Sequence, residues 1–134
     1  MKKKISIILS TFNEEIAIKK TINEIRKHIN DVEIVVVDDN SSDKTYKILK
    51  SLENDTTKVF LRKKTKGLAS AFLLGLIHSK GDIIGWVDSN MSSVVKLFPQ
   101  MINELLTSDV VILSRFSDGG KDERNFVRKW SSYI

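Results

Sequence analysis

The chain has 134 residues, of which 41% are hydrophobic and 29% charged, a balance that suits one globular domain and excludes a disordered chain or two ordinary domains. It contains no cysteine, which excludes disulfides and thiolate metal sites. Its net charge of +5 favours anionic partners such as phosphates, and no apolar run approaches the roughly 20 residues that cross a bilayer.

Lys2, Lys3 and Lys4 read as a solvated basic start. Residues 5–9 are apolar and rich in β-branched side chains, which predicts a buried strand. That run is shorter than the core of a secretory signal and is followed at once by Asn13, Glu14 and Glu15, so a cytoplasmic protein is expected. Residues 15–29 carry Ile18, Ile22, Ile25 and Ile29 at helical spacing, which predicts an amphipathic helix. A second β-branched run, 33–37, ends in Asp38 and Asp39. Ser41, Ser42 and Asp43 have the types that cap a helix start, and Tyr46, Ile48, Leu49 and Leu52 follow. A third short strand is expected over 59–61.

Residues 67–79 are apolar almost all round, which predicts a deeply buried helix, with Gly81 ending it. A fourth strand is expected over 82–87, ending in Asp88, with Trp86 in the core. Residues 94–106 read as a helix with Pro99 in its first turn or at a kink. A fifth strand over 109–113 would end in Ser114 and Arg115. Gly119 and Gly120 mark a loop over 117–121, and 125–134 reads as a helix start. Phe126 and Trp130 there suit either the core or an acceptor-facing surface. His28 and His78 have no second histidine at metal-ligand spacing and are given no functional role.

Strands alternating with helices indicate parallel βαβ units, an α/β sheet that places ligands beyond the carboxyl ends of its strands. Polar groups gather at those ends: Ser10 to Glu14, Asp38 to Asp43, Asp88 to Asn90, and Ser114 with Arg115. Helix caps alone do not call for two adjacent aspartates and a further Asp-x-Asn on another strand. Carboxylates there can accept hydrogen bonds from ribose hydroxyls or base N–H groups. Asp88 and the Asn90 side-chain oxygen are hard ligands suited to Mg²⁺ or Mn²⁺ on a diphosphate. Arg115 can hold a phosphate with its planar fork. No P-loop and no G-x-G-x-x-G is present, so ATPase and NAD readings lose their support. A nucleic-acid binder would rest on charge alone, because no aromatics are interleaved with the basic residues.

At these residues the chain resembles glycosyltransferase family 2, with its GT-A fold, and within it the polyprenyl- or dolichyl-phosphate mannosyl- and glucosyltransferases. Ser10-Thr11-Phe12-Asn13-Glu14 is similar to the family's Pro-Thr-Tyr-Asn-Glu. The run from Val37 to Thr45 is close to its Val-Asp-Asp-x-Ser-x-Asp-x-Thr, the most specific block. Arg62, Lys66 to Ala71, Gly75, Gly81 and Asp82 follow its central helix block, and Asp88-Ser89-Asn90-Met91-Ser92 takes the place of its Asp-Ala-Asp-Leu-Ser metal motif. Ser114-Arg115-Phe116, Gly119-Gly120 and Arg128 are similar to the phosphate- and acceptor-binding segment.

The resemblance implies a mainly parallel sheet flanked by helices and a family 2 catalytic domain over 1–134, truncated or minimal at its carboxyl end. It implies a GDP- or UDP-linked sugar held by Ser10, Phe12, Glu14, Val37, Asp39, Asp88 and Ser89. It implies Mg²⁺ or Mn²⁺ held by Asp88, Asn90 and Ser92. Asp88, Arg115 and Arg128 would be the catalytic groups, the arginines on the acceptor phosphate or leaving diphosphate. A polyprenyl phosphate acceptor implies peripheral contact with a membrane at its cytoplasmic face. Ser10 stands where the family has Pro, Phe12 where it has Tyr, and Asn90 where it has the second Asp of the metal motif. Asn90 removes one negative charge and weakens the metal site. Two alternatives follow: a nucleotide-sugar-binding remnant with little transfer activity, or transfer to a saccharide or protein acceptor.

Overall fold

The computed structural model describes residues 3–114. Four parallel strands form one sheet in the order β3-β2-β1-β4: β1 (Ile5–Thr11), β2 (Val32–Asp38), β3 (Thr57–Leu61) and β4 (Ile83–Asp88). Three α-helices connect them, α1 (Ile18–His28), α2 (Thr45–Leu52) and α3 (Leu68–His78). A 3-10 turn, Ser92–Leu97, and α4 (Phe98–Glu104) follow the last strand.

The two central strands are apolar on both faces, as parallel strands covered on both sides must be. Side chains alternate across a strand. Ile7, Leu9, Ile34 and Val36 therefore share one face with Ile18, Ile22, Ile25 and Leu49 of α1 and α2. Each of the α1 isoleucines is fully buried and contributes about 1.5–3 kcal/mol relative to an exposed side chain. Ile8, Val35 and Val37 point to the other face, where α3 lies. Arg26 ties α1 across to the β3 side by donating to the Leu52 carbonyl (3.1 Å) and Thr57 Oγ1 (2.8 Å).

In α3 only Ala71 and Gly75 are buried. They are small because the helix lies close on β1: a Cβ on Gly75 would sit 2.5 Å from Ile8 Cγ2. The expectation of a deeply buried helix is thus wrong for its outer face. One sheet covers one side of a helix, and Leu68, Leu73, Leu76 and Ile77 are exposed on the rest. Trp86 is also not core; among the described residues β4 is an edge strand, and the indole is exposed while tilting against Phe72 at 5.2 Å between centroids.

The expected helix over 94–106 is split into the 3-10 turn and α4, with Pro99 in the first turn of α4, where its missing N–H costs nothing. Residues 109–113 are not a strand. No ladder joins them to β4, and Val110, Ile112 and Leu113 are exposed beside an apolar groove shared with Trp86, Val94 and Phe98. The loop expected over 117–121 and the helix start over 125–134 lie outside the described residues.

Candidate functional site

The parallel register sets the carboxyl ends of the strands side by side. Thr11 pairs with Asp38, Asp38 with Leu61, and Ser10 lies between Val37 and Asp88. Chain reversal beyond this rim uses Asn13 and Asn40, both at positive φ (54° and 61°), a conformation asparagine tolerates better than most residues.

The loops after β1 and β2 are fastened to each other. The Asn13 N–H donates to Ser41 Oγ (2.9 Å), and its side-chain oxygen accepts from the Ser42 N–H (2.8 Å). The Glu14 N–H donates to Thr45 Oγ1 (2.8 Å), and the Lys44 N–H donates to Glu15 Oε2 (2.9 Å). Asp43 accepts from the N–H groups of Thr45 and Glu15. Burial pushes the Asp43 carboxyl pKa up, but the hydrogen bonds from Thr45 and Glu15 outweigh it and leave the value lowered. Ser41, Ser42 and Asp43 thus lock two loops together; α2 begins later, at Thr45, where the residue before it, Lys44, makes no side-chain cap and the Asp43 carboxylate takes the first N–H instead.

The adjacent aspartates have separate tasks. Asp38 is fully buried and closes its own turn, accepting from the Ser41 N–H (2.9 Å) and Ser41 Oγ (2.6 Å). Asp39 reaches across to Arg62. Its Oδ1 accepts from Arg62 Nε at 2.6 Å and lies in ion-pair contact 2.5 Å from Nη2, and its Oδ2 accepts from the Gly67 N–H at 2.9 Å. Arg62 in turn donates to Ser70 Oγ (2.7 Å) and the Gly67 carbonyl (2.9 Å). Gly67 enters α3 at φ 125°, which side-chain-bearing residues rarely adopt. Asp39 therefore anchors the 63–67 loop and the start of α3, and a nucleotide contact would use its remaining lone-pair capacity. Arg62 belonged to a recognised block but had no assigned role. The signal was an arginine among lysines at a place where a three-armed donor is needed.

The 63–67 loop carries Lys66 back over the site: its ammonium lies 4.7 Å from the centroid of Phe12, whose ring is 48% exposed. Opposite, Asp88 and Asn90 are exposed on the rim after β4. Asn90 Nδ2 donates to Glu14 Oε1 at 3.1 Å, a bond between residues 76 apart in sequence. Ser89 is buried and its carbonyl accepts from Thr21 Oγ1 (2.6 Å). Val37 is fully buried on the α3 side of the sheet. Ser10 Oγ and Thr11 Oγ1 are buried and have no partner among the described residues. Such hydroxyls usually pair with water or ligand. Ser92 opens the 3-10 turn, half-buried. Arg115 and Arg128 lie outside the described residues.

The donor set fits a hard divalent cation. Asp88 offers an exposed carboxylate, and Asn90, with its nitrogen engaged by Glu14, leaves its oxygen to coordinate. Among the described residues no group of three or more His, Cys, Asp or Glu is placed to hold a metal. Few protein ligands completed by substrate phosphates is the usual way Mg²⁺ is bound.

The family model for glycosyl transferase family 2 matches residues 6–133. A dolichol-phosphate mannosyltransferase of Pyrococcus furiosus is 33% identical over 134 residues, covering 97% of this chain and 37% of that protein. A prophage bactoprenol glucosyl transferase homolog of Escherichia coli is 32% identical over 127 residues, covering 90% of this chain and 42% of that protein. This chain thus spans less than half the length of these curated relatives. Among solved structures, glucosyl-3-phosphoglycerate synthase from Mycobacterium tuberculosis, in complex with Mn²⁺, UDP and glucosyl-3-phosphoglycerate, superposes with a TM-score of 0.63 and 25% identity. That match covers 80% of this chain and 41% of the other.

Proposed function

The chain belongs to glycosyl transferase family 2 and has the GT-A fold, and from that premise we propose that it binds a GDP- or UDP-linked sugar at the carboxyl rim and transfers the sugar to a polyprenyl phosphate. The observation that carries the reading is the Glu14–Asn90 hydrogen bond. It joins the loop that presents Phe12 to the loop that presents Asp88, so the base side and the diphosphate side meet in one site.

In this reading Phe12 stacks on the base, and the ring face now under Lys66 is freed as the ammonium turns toward phosphate. The buried Ser10 hydroxyl donates to or accepts from the nucleoside and the Glu14 carboxylate accepts from it, while Val37 and Ser89 wall the pocket from within. Asp39 acts there mainly by holding Arg62 and Gly67, and with them the cationic loop. Asp88 and Asn90, with Ser92 beside them, hold Mg²⁺ or Mn²⁺, which supplies Lewis-acid charge on the leaving diphosphate. Arg115 and Arg128 are assigned to the acceptor phosphate or the leaving diphosphate. A phosphate acceptor is already an oxyanion, so positioning and charge neutralisation carry the chemistry without a strong general base. A polyprenyl acceptor places the protein at the cytoplasmic face of a membrane.

Support comes from the relatives, one a dolichol-phosphate mannosyltransferase and another a bactoprenol glucosyl transferase homolog, and from the Mn²⁺ and UDP in the mycobacterial structure. Calorimetric titration with GDP- and UDP-sugars, with and without Mn²⁺, followed by an assay of transfer to a short polyprenyl phosphate, tests it. Metal-dependent binding of one nucleotide-sugar and transfer are expected. No binding under either condition refutes the site; binding without transfer favours the nucleotide-sugar-binding remnant, which the neutral Asn90 also favours.

A further inference from the structure

The outer face of α3 has no partner among the described residues, although its composition is that of a buried helix. Leu73 is 55% exposed and Ile77 69%, with Leu76 and Leu68 exposed on the same helix and the 44% exposed Trp86 beside Phe72. From Arg62 to Gly81 the sequence contains no Asp or Glu. Lys63, Lys64 and Lys66 precede the helix and Lys80 follows it, all exposed, and no carboxylate pairs with them among the described residues. The carboxylates this segment does touch are already engaged: Asp39 by Arg62, and Glu33 by Ser6 Oγ and the Lys80 N–H.

We propose that the outer face of α3 is a docking surface for an anionic lipid bilayer. Leucine and isoleucine side chains standing out from a helix suit the apolar zone just below the headgroups, and Trp86, on the neighbouring strand β4 against Phe72, is of the type that favours that boundary. Lysines at both ends of the stripe, whose ammonium groups pair with no carboxylate among the described residues, complement the negative charge of the surface. A protein partner would be expected to meet some polar pattern along the stripe, and between Leu68 and Ile77 Ser70 is the one polar side chain. The helix also starts at the site. The Gly67 N–H is held by Asp39, so docking α3 brings the carboxyl rim of the sheet to the bilayer edge. Docking by this surface does not require sugar transfer.

Co-sedimentation with vesicles of equal parts phosphatidylcholine and phosphatidylglycerol, against vesicles of phosphatidylcholine alone, is the test. The protein is expected to pellet with the anionic vesicles, less in high salt, and weakly with the neutral ones. The Leu73→Glu/Ile77→Glu variant, altered only at exposed positions, is expected to keep its melting temperature and lose about tenfold or more of vesicle affinity. A wild-type protein that stays in solution with anionic vesicles overturns the proposal, as does a folded variant that pellets as well as wild type. A wild-type dimer that the variant dissociates, with no vesicle binding, overturns it in favour of a second copy on this face. Nucleotide-sugar titration of both proteins runs alongside; its outcome bears on the proposed transferase site and is expected to be the same for variant and wild type.

Discussion

Replacing Asp39 by alanine tests whether this residue holds the site together or only touches a ligand. The Arg62 side chain is 8% exposed and that of Asp39 13%. Without the carboxylate, the guanidinium keeps two neutral acceptors, Ser70 Oγ and the Gly67 carbonyl, but has no counter-charge. The Gly67 N–H also loses its acceptor at the start of α3. Removing one partner of a buried ion pair costs about 3–5 kcal/mol, mostly because the other charge is left uncompensated. Arg62→Leu is expected to cost a similar amount, since it strands the carboxylate. The double variant is then expected to cost no more than either single one, a coupling of about 3 kcal/mol or more. Arg62→Lys is expected to restore little, because one ammonium cannot reach Asp39, Ser70 and Gly67 together. Urea unfolding followed by tryptophan fluorescence measures all four. A loss below about 1 kcal/mol for Asp39→Ala, with no coupling to Arg62, refutes the assignment of Asp39 as the anchor of the 63–67 loop.

Other substitutions probe separate features. Gly75→Ala raises helix propensity by about 1 kcal/mol, but its Cβ would meet Ile8 Cγ2 at 2.5 Å; a net loss of about 1–3 kcal/mol is expected in denaturant unfolding, and a gain would show that α3 can lift off β1 freely. Asn90→Asp sets a second carboxylate against Glu14, so the metal-free protein is expected to melt lower and to gain more from Mn²⁺ than wild type does; equal metal-induced shifts would place residue 90 away from the metal. Ser41→Ala removes the hydroxyl shared by Asp38 and the Asn13 N–H, at an expected cost of about 1–3 kcal/mol in thermal unfolding. Asp43 has a lowered carboxyl pKa, so its contribution is complete above the ordinary value of 3.8 and is lost as pH falls through the folded-state value. Asp43→Asn is expected to flatten that acid loss in melts from roughly pH 5 to 2, and an unchanged slope would show that Asp43 is not among the groups that titrate on unfolding.

Four of the five expected strands and their order of appearance were legible because local patterns carry them; the run over 109–113 has the same local pattern but joins no ladder. Runs such as Ile34 to Val37 are short and β-branched, as a strand covered on both faces is, and Ile18, Ile22, Ile25 and Ile29 share a face when the segment is a helix. The rim at which polar groups gather followed from parallel pairing alone. The sequence also marked Asp38, Asp39 and the Ser41–Ser42–Asp43 run as special, yet could not say which of them bind each other. Asp39 meets Arg62 across 23 residues, and Glu14 meets Asn90 across 76; such pairs are set by register and loop closure, which no window along the chain encodes. The same reason explains α3. Its residues are apolar on every side, and only the sheet beneath it decides that Ala71 and Gly75 turn inward while Leu73 and Ile77 face outward.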